Sequence, residues 1–101
     1  MNGKQIVFHP EALAEARAAV VWYHERSQKA PQAFLAELED SLRKISDSPQ
    51  RWPPFEHGCR RYPLRRFPFF MIYRESESVI EVLAVAHGRR RPGYWRSRES
   101  K

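Results

Sequence analysis

The longest apolar run in the chain is VIEVLAVAH at residues 79–87, in which Glu81 is the one charge among Val, Ile, Leu and Ala. A run this apolar does not suit an exposed edge and predicts a buried strand. Near the start, KQIVF at residues 4–8 reads as a shorter strand, ended by His9-Pro10. Leu13, Ala16, Val20 and Tyr23 then recur at helical spacing to about Arg26, with Ala12, Ala19 and Trp22 widening the stripe. Pro10 suits the first helical position, and Glu11 and Glu15 lie in the opening turns, where the helix dipole favours negative charge. After a break at residues 27–30, Pro31 opens a second helix with Phe34, Leu35, Leu38, Leu42 and Ile45 on its apolar face. Glu39 with Arg43 and Asp40 with Lys44 are expected as pairs on its solvent side. So short a link predicts an antiparallel helical hairpin.

Residues 49–58, PQRWPPFEHG, hold three prolines and a glycine. They predict a loop with several fixed φ angles, pinned to the body by Trp52 and Phe55. Residues 59–64 and 67–74 follow as two strands joined at Arg65-Arg66. In the second of them Phe67, Phe69, Met71 and Tyr73 share one face, and Phe70, Ile72 and Arg74 share the other. A polar loop at residues 75–78 leads into the 79–87 strand. The order β-α-α-β-β-β predicts an α+β fold in one domain, residues 1–101, with the helical hairpin on one face of a small, mainly antiparallel four-stranded sheet. Two helices cover one face only, so the basic residues are expected on the other.

Charge sharpens that expectation. The net charge is +6, but residues 1–48 carry six basic and seven acidic side chains, whereas residues 49–101 carry twelve and five. Eleven of those twelve are Arg, whose planar fork binds phosphate or carboxylate and stacks on rings better than Lys does. The functional surface is therefore expected in the second half, facing an anionic partner.

Other chemistries find little support. His9, His24, His57 and His87 are scattered without ligand spacing, so no metal is expected. No glycine-rich phosphate loop, nucleophile elbow or paired carboxylate is present, and no cofactor is expected. Cys59 is the single cysteine, which excludes a disulfide scaffold and favours a packed thiol. No apolar run approaches the roughly 20 residues that cross a bilayer, and no secretion signal opens the chain. No membrane association is expected, and the compartment expected is the cytoplasm.

What remains is arginine, aromatics and one histidine. Arg60, Arg61, Arg65 and Arg66 lie on or beside the middle strands, and Arg89, Arg90, Arg91, Arg96 and Arg98 lie past the last one. Their convergence beside Tyr94 would make a cationic patch able to grip phosphates, with Tyr62, Tyr94 and Trp95 available for base stacking. RNA cleavage by 2′-hydroxyl attack would need charge stabilisation from Arg and proton transfer from His87 or Tyr94. The plainer reading makes His87 a packed strand-end residue and Tyr94-Trp95 a clasp that fastens the chain end to the sheet. A basic RNA-binding domain would have the same composition.

In order and spacing, FHPEA at residues 8–12, WYHERS at 22–27, the LRKISDSP ending at Pro49, RRFPF with the following MIY at 65–73, and VAHGRRRPGYW at 85–95 resemble the RelE/ParE superfamily of type II toxin-antitoxin (plasmid stabilisation) toxins. The resemblance implies a growth-arresting protein neutralised by a cognate antitoxin, expected to be acidic and to fold on binding. RelE-like members are ribosome-dependent mRNA endonucleases, and on that branch the catalytic set would be His87, Arg89, Arg90 and Tyr94. Here, however, Phe70 and Gly88 stand where that branch carries arginines. The FPFFMIYR segment is closer to the ParE branch, whose members inhibit DNA gyrase by binding and are not enzymes. On either branch the target or nucleic-acid contact surface is expected to comprise Arg60, Arg61, Arg65, Arg66, Arg89, Arg90, Arg91, Tyr94 and Trp95.

Overall fold

In a computed structural model that describes residues 3–98, Gln5–Phe8 forms strand β1, Pro10–His24 helix α1, Ala30–Asp47 helix α2, Arg60–Pro63 strand β2, Phe69–Glu75 strand β3 and Val79–His87 strand β4. The sheet order is β1-β4-β3-β2, with β1 parallel to β4 and the other pairs antiparallel. A parallel neighbour requires a crossover connection, and the helical hairpin provides part of it.

Local chemistry sets the helix limits. His9 caps α1, its Nδ1 accepting from the Glu11 N–H at 3.1 Å, and Pro10 gives up no intrahelical donor at that position. The helix ends where the N–H groups of Arg26 and Ser27 both turn back to the Tyr23 carbonyl. Ser27 Oγ then accepts from Lys29 and Ala30 at 3.2 Å each, holding the entry to α2. On α2, Asp40 takes both Lys44 and Arg43; the expected partner of Arg43 was Glu39, and the i,i+3 geometry supplied the other carboxylate.

Ala12, Ala16 and Ala19 of α1 and Phe34, Leu38 and Ile45 of α2 pack on Met71, Tyr73, Ile80, Val82 and Val85 of the sheet. Small residues on α1 let it lie close to β4. Strand β4 is bulged. Ile72 pairs with Ala84 and Tyr73 with Val82, so Leu83 is the extra residue. A one-residue slip exchanges faces, and Leu83, Ala84 and Ala86 therefore turn to the side away from the helices. That is how an almost continuous apolar run is buried on both sides.

The face without helices departs from expectation. It is closed by Trp95, 1% exposed, which lies on Cys59, Ile72, Leu83, Ala84 and Ala86, with Phe70 and Tyr94 alongside. That face carries apolar side chains that need cover, and the end of the chain supplies it. Arg61 and Arg90 lie beside this cover, stacked on Phe70 and Tyr94. Among the described residues no helix is long and apolar enough to cross a membrane.

Candidate functional site at the end of the last strand

Pairing between β1 and β4 ends at Phe8 opposite Val82. Beyond that point the β1-side edge of β4 has no strand beside it among the described residues. Exposed strand edges are pairing hazards, and this one is met by side chains instead. Glu15 of α1 accepts the Val85 N–H at 2.9 Å, and Arg98 donates to the Leu83 carbonyl at 3.1 Å. The two side chains also meet directly, Arg98 reaching both carboxylate oxygens of Glu15 at 3.0 and 2.9 Å. The Tyr94 hydroxyl donates to the same carboxylate at 2.7 Å.

Burial alone would raise the Glu15 carboxyl pKa, but the hydrogen bonds from Arg98, Tyr94 and Val85 outweigh it and hold the group below its ordinary value. Burial and the adjacent carboxylate push the Tyr94 phenol well above its ordinary value. For Arg98, burial works against the charge and Glu15 more than restores it, leaving the guanidinium pKa raised.

This knot fixes the segment that carries the arginines. After β4 the Gly88 N–H donates to the Pro68 carbonyl and the Arg90 N–H to the His87 carbonyl. Gly93, at φ +76°, then turns Tyr94 and Trp95 back over the sheet. A hollow of about 170 Å³ results, with Arg61, Arg90, Arg91, Phe55, Phe70 and Tyr94 among its walls. The Arg90 guanidinium lies 3.8 Å from the Tyr94 ring centre, and that of Arg61 lies 4.1 Å from the Phe70 centre. Stacking leaves the edges of a guanidinium free to donate. Neither Arg61 nor Arg91 has a side-chain hydrogen bond or ion pair among the described residues.

The remaining expected site residues lie elsewhere. Arg60 donates to the backbone carbonyls of Trp52 and Gln50 and fastens the loop before β2. Arg65 and Arg66 sit on the β2–β3 loop beside α2, where Arg66 pairs with Glu37. Arg89 is exposed, and its backbone N–H donates to His87 Nδ1. His87 faces the helices, edge-on to Phe69 in an apolar groove with Trp22 and Tyr23. His87 and Tyr94 thus open into different cavities. Tyr62 and Trp95 are in the two cores; their rings bury apolar area, so base stacking is not open to them. Glu15, the carboxylate that organises the knot, carried no signal in the sequence beyond its place in the first turns of a helix.

The profile of the family described as ParE toxin of type II toxin-antitoxin system, parDE, matches residues 6–92. The chain belongs to that family, and so to the type II toxins of the RelE/ParE superfamily. Its fold is similar to a solved structure described as the chromosomal ParDE TA system from P. aeruginosa, with a TM-score of 0.74 and 20% sequence identity over 83% of this chain and 95% of that one. No curated protein matches the chain in sequence.

Proposed function

We propose that this toxin arrests growth by binding a replication target such as DNA gyrase, using the Arg61, Arg90 and Arg91 hollow as its contact surface, and that a cognate antitoxin neutralises it. The observation that carries this reading is the state of Tyr94. Its hydroxyl is committed to Glu15 and its pKa lies above the ordinary tyrosine value, which makes it a poor proton carrier near neutral pH. His87, the other proton carrier expected, opens on a different side. Binding needs neither group.

The alternative is ribosome-dependent mRNA cleavage, favoured by the two unpaired guanidiniums in that hollow, which suit a phosphodiester. The two readings separate on induction in cells. Loss of supercoiling with intact mRNA supports binding to gyrase; discrete new 5′ ends on mRNA with normal supercoiling support cleavage. The antitoxin is expected to be acidic, because the excess positive charge lies in the second half of the chain.

A further inference from the structure

A second cleft is larger than the arginine hollow. It measures about 400 Å³ and opens between α2 and the β2–β3 hairpin, with Glu37, Asp40, Lys44, Tyr62, Arg65 and Arg66 among its walls. Its acceptors are already engaged. Glu37, 8% exposed, accepts the backbone N–H groups of Arg65 and Arg66 and the Nε of Arg66. Asp40 is closed by Arg43 at 2.7 Å and Lys44 at 3.2 Å. Ser41, also on the wall, donates its hydroxyl to the Glu37 carbonyl at 2.8 Å.

Its donors are not engaged to the same degree. Tyr62 is 4% exposed, and its hydroxyl has no hydrogen-bond partner among the described residues, a state that buried polar groups rarely keep. The Arg65 guanidinium has no partner among them either. Arg66 meets Glu37 through Nε, leaving its terminal nitrogens available. A cleft whose acceptors are satisfied and whose donors are in excess is complementary to a group that only accepts. Glu37 adds preorganisation, because the same carboxylate that neutralises Arg66 also holds the backbone of the turn that presents Arg65.

We propose that this cleft binds a small molecule bearing a carboxylate or phosphate group, held by the Tyr62 hydroxyl and the guanidiniums of Arg65 and Arg66. The volume lies within the range of small-molecule sites and exceeds what a lone ion requires. The site is separate from the Arg61 and Arg91 hollow, so it stands whether or not that hollow meets the toxin's target.

The test is a titration of the full chain with inorganic phosphate, citrate or a sugar phosphate, followed by backbone amide shifts against chloride at matched ionic strength. The expected result is saturable shifts at residues 37–44 and 62–66 that chloride does not produce. Tighter binding of the sugar phosphate than of citrate assigns the phosphate ester, and the reverse order assigns the carboxylate. Tyr62→Phe keeps the ring and removes the donor, and it should weaken binding roughly tenfold, the loss expected for one hydrogen bond to a charged acceptor. Arg65→Gln should do the same, and Arg91→Gln should not. Non-saturating shifts, shifts centred on residues 88–95, or unchanged affinity in the first two variants would overturn the proposal. Should Tyr62→Phe fail to fold, the exposed Arg65 decides through its own variant.

Discussion

Glu15 and Arg98 are 83 positions apart, yet the guanidinium grips both oxygens of the carboxylate at 3.0 and 2.9 Å. The Glu15 side chain is 15% exposed and that of Arg98 is 8%, so the pair works where water screens it little. It joins the first helix, the unpaired edge of β4 and the end of the chain at one carboxylate. Arg90 and Arg91 of the hollow are displayed on the segment that this carboxylate tethers.

Removing Glu15 should therefore cost far more than a surface substitution. Glu15→Ala leaves Arg98 with the more distant Glu11 at 3.4 Å as its carboxylate partner, besides the Leu83 carbonyl, and it removes the acceptor of the Tyr94 O–H and the Val85 N–H. The expected loss is about 3 kcal/mol, the range for breaking a buried pair. Glu15→Gln keeps an acceptor and should lose about half as much. Urea denaturation of the three proteins measures both.

The same pair sets an acid limit. The Glu15 carboxyl is held below its ordinary value of 4.5, so the unfolded chain takes up this proton more readily than the folded one. The contribution is fully present above the unfolded pKa and is lost as pH falls through the folded one. The stability gap between wild type and Glu15→Gln should be constant from pH 7 to about pH 5 and close below pH 4.5. A gap that stays constant down to pH 3 would mean that the fold does not hold this carboxyl below its ordinary pKa.

Tyr94→Phe distinguishes a proton carrier from a structural phenol. The ring remains for Arg90 to stack on, and one hydrogen bond to a charged acceptor is lost, which costs about 1.5 kcal/mol. Growth arrest on induction should persist at nearly wild-type strength. Abolished arrest in a variant that still folds would transfer the case to cleavage. A spectrophotometric titration supplies a second check. Tyr94 should remain protonated through the range near pH 10 where free tyrosine ionises, and so should Tyr73, pushed up to about 12 by burial.

These features differ in how far the sequence revealed them. The 79–87 run and the helical stripes were legible because burial on a strand or a helix face leaves a periodic apolar signature. The face assignment of Phe69, Met71 and Tyr73 against Phe70 and Ile72 followed from the two-residue repeat alone. The bulge at Leu83 could not be read, since an apolar run has the same composition in either register. Trp95 follows a basic turn and looks like an exposed contact residue, and only the apolar surface made by Ile72, Leu83 and Ala86 explains its burial. Glu15 and Arg98 are each ordinary in sequence, and their meaning lies in a contact that local pattern does not encode.

Arg60 and Arg61 are neighbours with opposite duties. Strand alternation turns Arg60 to the backbone carbonyls of the preceding loop and Arg61 to the rings of Phe70 and Phe55 beside the hollow. Arg60→Ala should destabilise by about 1–2 kcal/mol, because the bonds are charge-assisted, while toxicity per folded molecule stays unchanged. Arg61→Ala and Arg91→Ala should shift stability by less than about 1 kcal/mol and weaken growth arrest. Thermal melts paired with viable counts at matched protein levels separate the two behaviours.

Trp95→Ala addresses what holds the second face of the sheet. The indole fills the space over Ile72, Leu83 and Ala86, small and medium side chains that cannot close the gap by themselves. Truncating a buried Trp costs about 3–5 kcal/mol, a large share of the 5–15 kcal/mol typical of a domain. The variant should melt far below wild type, and it should lose hydrogen-exchange protection first in residues 88–98, whose packing depends on that ring, while α1 and α2 retain theirs. Trp95→Phe should recover part of the loss by restoring an aromatic in the same space. A Trp95→Ala protein that kept wild-type stability and lost only growth arrest would instead make this ring a contact residue, which its 1% exposure argues against.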